Sequence, residues 1–342
     1  MGNCCAHNSE VDIEAHKDGE ARNEPEMIRG VPSIDHRQLK GIKASESTTI
    51  GMGIVEYENL KHEEPLEMVP EIQAGLGSDG QEFLTSRGGF KFRLSEYPGK
   101  SNPVRLIREH SGGIYYGNCR EANGETIKEG RGYYIDEKGY FYMGYFANSV
   151  LEGPAVMLVK KSTLFKGIWS DNSMNGFGYS FSNKSNYSGN WVNSLSDGYG
   201  EEKWTDAEYR GQFKAGYKHG NGEFFWFNDG SHYKGEFEKG KPHGKGEHTW
   251  KEGKKYIGDW REEKMEGHGR FEWPDGRYYD GAYIDDRKEG FGVFAWPDGR
   301  RFEGMWHNGK QHGPGKFIDK SGAETVGEWV NGTKLPNHQF QN

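Results

Sequence analysis

Residues 256–276 read Tyr-Ile-Gly-Asp-Trp-Arg-Glu-Glu-Lys-Met-Glu-Gly-His-Gly-Arg-Phe-Glu-Trp-Pro-Asp-Gly. Tyr256, Gly258 and Trp260 stand two apart, so in a strand they share one face. Gly267, Gly269, Phe271 and Trp273 do the same in a second strand, with His268, Arg270 and Glu272 on the opposite side. Pro274-Asp275-Gly276 then makes a turn, because glycine supplies positive φ at no steric cost. The stretch reads as a hairpin with one aromatic face. Glycine between two rings leaves room for rings of the adjacent strand to lie across the backbone. That is a packing reason for a residue that otherwise costs a strand about 0.5–1 kcal/mol.

The pattern recurs. The ring–glycine–ring unit has its Gly at 117, 144, 167, 189, 211, 235, 258, 281, 304 and 327. Two residues earlier stands a ring in nine of the ten, including Tyr187, Tyr233, Tyr256 and Phe302; Thr325 is the exception. Two residues later stands a ring in nine of the ten, including Trp191, Phe237, Trp260 and Trp306; Cys119 is the exception. A Gly-x-Gly pair follows, often with a tryptophan four residues on, such as Trp273 or Trp296. One hairpin is marginal alone. Side by side, hairpins bury a continuous strip of rings, each contributing about 1.5–3 kcal/mol, and stability becomes a sum over neighbours. The predicted fold is all-β: an elongated, twisted, single-layer ribbon of about ten stacked hairpins over 96–335. Its structural core includes Tyr187, Gly189, Trp191, Tyr233, Gly235, Phe237, Tyr256, Gly258, Trp260, Trp273, Trp296, Phe302, Gly304 and Trp306. Residues 336–342 form a tail.

Composition divides the chain at about residue 110. All ten tryptophans and 40 of the 52 glycines follow that point. The first 110 residues carry 13 basic and 19 acidic side chains and no sustained period of 3.6 or 2. Residues 1–95 therefore read as a largely disordered tether, with room for a short element between Ile54 and Ile72. Collagen is excluded, since glycine is not every third residue. The longest uninterrupted apolar run, Ala155–Val159, is far short of the ~20 residues that span a bilayer. Three cysteines suit a reducing compartment. A net charge of −8 argues against nucleic acid as a partner.

Tyr187-Ser-Gly189-Asn-Trp191 and Phe302-Glu-Gly304-Met-Trp306-His-Asn-Gly-Lys, followed by Gly-x-Gly, resemble the repeat of the membrane occupation and recognition nexus (MORN) family. The resemblance covers about 115–334. It departs at the ends: Cys119 with a loop four residues longer, Gly153-Pro154-Ala155 with one glycine lost, and Thr325 in a unit that stops early. It implies a non-catalytic scaffold of the kind tied to membranes, cell cortex or cilia, in some members with phosphoinositides.

The chain opens Met1-Gly2-Asn3-Cys4-Cys5-Ala6. Gly2 is a myristoyl acceptor once Met1 is removed, although Ala6 stands where the usual pattern has Ser or Thr. One myristoyl chain binds a membrane only marginally. Residues 1–30 carry three basic and seven acidic residues, so no polybasic patch assists. The second anchor would be palmitate on Cys4 or Cys5. The expected role is a membrane-tethered scaffold on the cytoplasmic face, at the plasma membrane or cortex. Its partners would be other proteins, a second copy of the ribbon, and phosphoinositide contacts through Lys239, Lys241, Lys254, Lys255, Arg287 and Lys288. The alternative is a ciliary or cortical cytoskeletal element independent of lipid.

No residues are expected to be catalytic, and no metal or cofactor is expected. Gly75-Leu-Gly77-Ser-Asp-Gly80 fits a dinucleotide fingerprint, but no apolar strand precedes it and Gln81–Gly89 does not read as an amphipathic helix. His219, His243 and His312 each precede a Gly-x-Gly pair. Spaced two or more strands apart, they read as polar turn residues rather than metal ligands. Cys119 reads as an apolar filler.

Overall fold

The structure, a computed structural model, describes residues 67–86 and 102–336. The acylation reading at Gly2, Cys4 and Cys5 lies outside them, as does most of the tether and all but the first residue of the 336–342 tail. The described chain is all-β apart from one helix, with 21 antiparallel strands. It falls into two units that meet between Lys218 and His219.

The first unit holds α1 (Pro70–Ser86), β1 (Val104–Arg108), β2 (Ile114–Ala122), β3 (Glu125–Ile135), β4 (Phe141–Ala147), β5 (Val150–Val159), β6 (Thr163–Ser170), β7 (Ser173–Phe181), β8 (Ser185–Val192), β9 (Leu195–Trp204) and β10 (Ala207–Lys214). The boundary falls within β11 (Tyr217–Trp226). The second unit continues with β12 (His232–Glu238), β13 (Lys241–Thr249), β14 (Lys255–Arg261), β15 (Lys264–Glu272), β16 (Tyr278–Ile284), β17 (Arg287–Ala295), β18 (Arg301–His307), β19 (Lys310–Ile318), β20 (Glu324–Val330) and β21 (Thr333–Lys334). Even-numbered strands up to β20 carry the ring–glycine–ring unit; odd-numbered strands from β3 to β19 carry the glycine pair, with Gly153/Ala155 in β5.

Apart from the edge strands β1 and β21, one glycine per strand lies in register within each unit. Gly258 pairs with Gly269, Gly269 with Gly281, Gly281 with Gly292, and Gly292 with Gly304. In the first unit the row is broken only by Ala155, opposite Gly144 and Gly167. A β-carbon on Gly269 would come within 2.2–2.4 Å of the Tyr256 ring, so the ring itself demands the glycine.

The other glycine of each pair has a different task, which the sequence reading did not separate. Gly267 has φ +66°, and Gly176, Gly198, Gly244, Gly290 and Gly313 are also in the left-handed region. There the ladder slips by two residues, as where Gly258↔Gly269 gives way to Trp260↔Met265. This is a glycine bulge, which bends the strand and strengthens its twist.

The first hairpin corrects a second expectation. Its four extra residues make no longer loop. They lengthen both strands, adding the pairs Glu121↔Thr126 and Ala122↔Glu125 before an Asn123-Gly124 turn.

The helix corrects a third. Residues 70–86, read as part of a disordered tether, form α1, broken at Gly77 (φ 70°, ψ 169°). Ile72, Leu76, Gly80 and Leu84 repeat every fourth residue and are its buried positions. They pack on the back of the sheet, opposite the ring face, against Tyr133, Ile135, Phe141, Met143, Tyr145, Val156, Leu158 and Leu164. The fingerprint glycines serve this docking: a β-carbon on Gly75 would meet Ile135 at 2.4 Å, and one on Gly80 lies 3.4 Å from Leu158. A glycine-rich segment has poor intrinsic helicity. Tertiary packing makes this one.

Candidate functional site

The ring face is built from the same few bonds repeated. Tyr187, Tyr209, Tyr233, Tyr256 and Tyr279 each lie across the glycine two residues on. Each hydroxyl donates to the carbonyl three residues on, at 2.8–3.0 Å. Burial pushes these hydroxyls well above their ordinary titration range. Each ring meets the ring four residues later edge to face, as in Tyr256–Trp260 at 5.1 Å, and Tyr187, Tyr233, Tyr256 and Tyr279 also meet a ring of the next hairpin, as in Tyr256–Tyr283 at 5.3 Å. Trp260 and Trp306 donate their indole N–H to the carbonyls of Gly246 and Gly292. Tyr187, Trp191, Tyr233, Phe237, Tyr256, Trp260, Phe302 and Trp306 are all buried there, with Gly189, Gly235, Gly258 and Gly304 in the glycine row.

Trp273 and Trp296 differ. They share the ring face but sit at the turn rim and stay half-buried, as do Trp226 and Trp250. Their places are fixed by turn bonds: Trp273 N–H donates to Arg277 O at 2.9 Å, and Gly276 N–H to Trp273 O at 3.0 Å. The indoles lean inward at a tilt, Trp250 on Phe271 at 5.3 Å and Trp273 on Phe294 at 5.5 Å. Arg277 and Arg300 lie 5.6 and 5.4 Å from the Trp273 and Trp296 rings. In the second unit this gives a row of partly solvent-facing indoles flanked by guanidinium groups.

Beside that row Lys288 is held among rings, as Lys128 and Lys218 are in the first unit. Its ammonium lies 4.9–5.2 Å from the rings of Trp273, Tyr279, Phe294 and Trp306. Burial, with Arg277 nearby, pushes it down to about 7. It therefore does not stand among the exposed cations available to lipid phosphate. Met174 and Met265 take the corresponding place in other hairpins, opposite Trp169 and Trp260.

In six hairpins the residue before the bulge glycine is a clamp, which the sequence reading missed. Glu129, Glu152, Asn175, Asp197, Glu266 and Glu289 accept the N–H of Asn148, Asp171, Asn193, Ala215, Asp285 and Asn308 in the next hairpin's turn, at 2.9–3.1 Å. The Asn308 N–H, with His307, holds the Glu289 carboxyl below its ordinary range. His219, His243 and His312 occupy this same position in their hairpins. The fixed nine-residue spacing was the signal available. Among the described residues no group of three His, Cys, Asp or Glu is placed to hold a metal ion.

Elsewhere, Cys119 is fully buried and burial pushes its thiol up to about 11, so it fills space on the ring face. On the back of the second unit a shallow depression is lined by His268, Arg270, Tyr278, Asp280, Phe291 and Val293. Its charges are already paired: His268 with Asp280 at 3.0 Å and Arg270 with Glu272 at 2.7 Å.

A sheet assembled from hairpins that each contribute one ring–glycine–ring strand and one glycine-pair strand is a repeat architecture. Seven segments match the MORN repeat: 165–183, 187–207, 209–231, 233–255, 256–276, 279–300 and 302–324. The chain is a MORN-repeat protein. The hairpins around Gly117 and Gly144 lie outside the matched residues but keep the same register. No curated protein matches the sequence. Among solved structures, the TCP10 domain of Danio rerio CPAP in complex with a peptide of Danio rerio STIL is 12% identical, with a TM-score of 0.34 over 68% of this chain and 99% of that one. The SAS-4 TCP domain in complex with a proline-rich motif of Ana2, of Drosophila melanogaster, is 13% identical, with a TM-score of 0.21 over 61% and 95%. At those scores neither likeness bears on what this chain does.

Proposed function

We propose that this chain is a non-catalytic scaffold that binds other proteins along the rim of its ring face, tethered to the cytoplasmic face of a membrane by acylation of Gly2 and of Cys4 or Cys5. The observation that carries the binding half is the row of half-buried indoles. Rings in a self-contained core are covered, as Tyr256 and Trp306 are. Trp226, Trp250, Trp273 and Trp296 instead leave part of each indole in solvent with Arg277 and Arg300 beside two of them. Tryptophan and arginine are the residues that most often dominate binding energy at protein interfaces.

Two experiments test the two halves. Trp250→Ala, Trp273→Ala and Trp296→Ala are expected to remove partners recovered by in-cell cross-linking and mass spectrometry, while Phe291→Ala on the back face leaves them. Equal recovery from all variants would end the rim reading. Wild-type protein is expected to sediment with membranes, and Gly2→Ala or the Cys4→Ser/Cys5→Ser pair to release it. If every version stays soluble, or stays with microtubules, the tether fails and the cytoskeletal alternative takes its place.

A further inference from the structure

The last ring strand, β20, is half-finished. In the second unit β12, β14, β16 and β18 are each followed by a glycine-pair strand of nine residues. β20 is followed by the two residues of β21, pairing only Trp329↔Lys334 and Val330↔Thr333. Leu335 N–H adds one bond, to Glu328 O at 2.8 Å. Past that point the outer edge of Glu324–Gly327 meets no strand among the described residues. Glu324, Thr325 and Val326 are exposed, and Val326, at 70%, is the most exposed large apolar side chain among them. An open edge of this kind is a template for another strand.

The sequence also holds the glycine-pair pattern where no ring–glycine–ring pattern precedes it. Gly51-Met-Gly53-Ile-Val55-Glu-Tyr57 repeats the order of Gly267-His-Gly269-Arg-Phe271-Glu-Trp273. Each glycine-pair strand of β3–β19 closes a hairpin with the ring strand directly before it. Residues 51–57 precede every ring strand described, and the nearest earlier candidate, Leu39-Lys-Gly41-Ile-Lys43, has neither ring. A segment with that pattern and no ring segment before it in the sequence is suited to exchange between copies.

We propose that Gly51–Tyr57 of a second copy adds antiparallel to the outer edge of β20. The register follows from Gly258↔Gly269, Ile257↔Arg270 and Tyr256↔Phe271. It sets Gly53 opposite Gly327, Ile54 opposite Val326 and Val55 opposite Thr325. Ile54 then covers Val326 on the back face. Val55 and Thr325 form a β-branched pair where other hairpins have a ring pair. The chain's own residues 337–342 fit the same register less well, placing His338 against Gly327 and Gln339 against Val326. This surface is independent of the indole rim.

The test uses full-length protein. Light scattering is expected to give more than one chain's mass for wild type and one chain's mass for Gly53→Pro, which cannot pair there. Val326→Asp should weaken self-association at least tenfold. When differently tagged Val55→Cys and Thr325→Cys single variants are mixed under oxidation, a disulfide between the two tagged chains is expected, mapped by peptide mass. A wild type with one chain's mass overturns the proposal. So does a self-association that survives Gly53→Pro, or a link that forms only within the double variant.

Discussion

Two glycines two residues apart, Gly267 and Gly269, show how differently one residue type can be constrained. Gly269 is held by crowding and Gly267 by dihedral angle. Asparagine tolerates positive φ. Gly267→Asn should therefore shift the urea midpoint the less of the two, its β-carbon meeting the Asp259 side chain, at 2.8 Å, rather than a buried ring. Gly269→Asn, whose β-carbon has no space beneath Tyr256, should lose about 1–3 kcal/mol. Equal losses at the two sites would refute the division of labour. Lys288 makes a second prediction at this scale. Its native titration lies near 7 against an ordinary 10.5. For a base depressed in the folded state, folding is penalised while the charge is present, and the penalty fades as pH rises from about 7 to 10.5. The full shift corresponds to at most about 5 kcal/mol, reduced by the four ring faces, which favour the cation by about 2 kcal/mol. Lys288→Met, the residue already used at 174 and 265, should stabilise the protein at pH 7 and flatten the rise in stability between pH 7 and 10, read by denaturant titration at several pH values.

At the scale of elements, β4 departs most from the plain repeat. Phe141, Tyr142, Met143, Tyr145 and Phe146 are buried on both faces, because the rings face one way and α1 covers the other. Leu76→Ala should cost about 2–5 kcal/mol of local stability. Amide exchange should then accelerate in α1 and β3–β5 and stay unchanged in β14–β19. The hairpins were legible because period-2 parity and a fixed spacing recur many times. The helix was not legible from its own residues, since four small or apolar positions among glycines and acids carry little helical signal. The information lay in its partner. In 140–146, Tyr-Phe-Tyr-Met-Gly-Tyr-Phe, both parities are apolar, as in Ala155–Val159, and a strand apolar on both faces requires a second layer. Trp273 and Trp296 were placed on the correct face. Their partial exposure was not legible, because it depends on where each turn leaves the sheet.

Across the whole molecule, the bonds that define a hairpin reach only its neighbours, so damage should stay local. Trp306 touches Tyr279, Phe294 and Phe302 and bonds to Gly292. Trp306→Ala should speed exchange in β16–β20 and leave β2–β6 at wild-type rates; a uniform change would show instead that the chain unfolds as one cooperative body. The turn clamps carry a further rule about length. From the ring-strand glycine to the bulge glycine the count is nine in eight hairpins, and the one exception, Gly117 to Gly130, lengthens both strands and still leaves Glu129 bonded to the Asn148 N–H. Across the opposite rim the count varies: eleven from Gly178 to Gly189, twelve from Gly269 to Gly281 and thirteen from Gly222 to Gly235. Surface loops ordinarily accept insertions. Here only one margin should: a graft spliced beside Pro274-Asp275-Gly276 would hang freely, whereas the same graft at Asp285-Asp286, where Glu266 accepts the Asp285 N–H, would unlatch two adjacent hairpins at once.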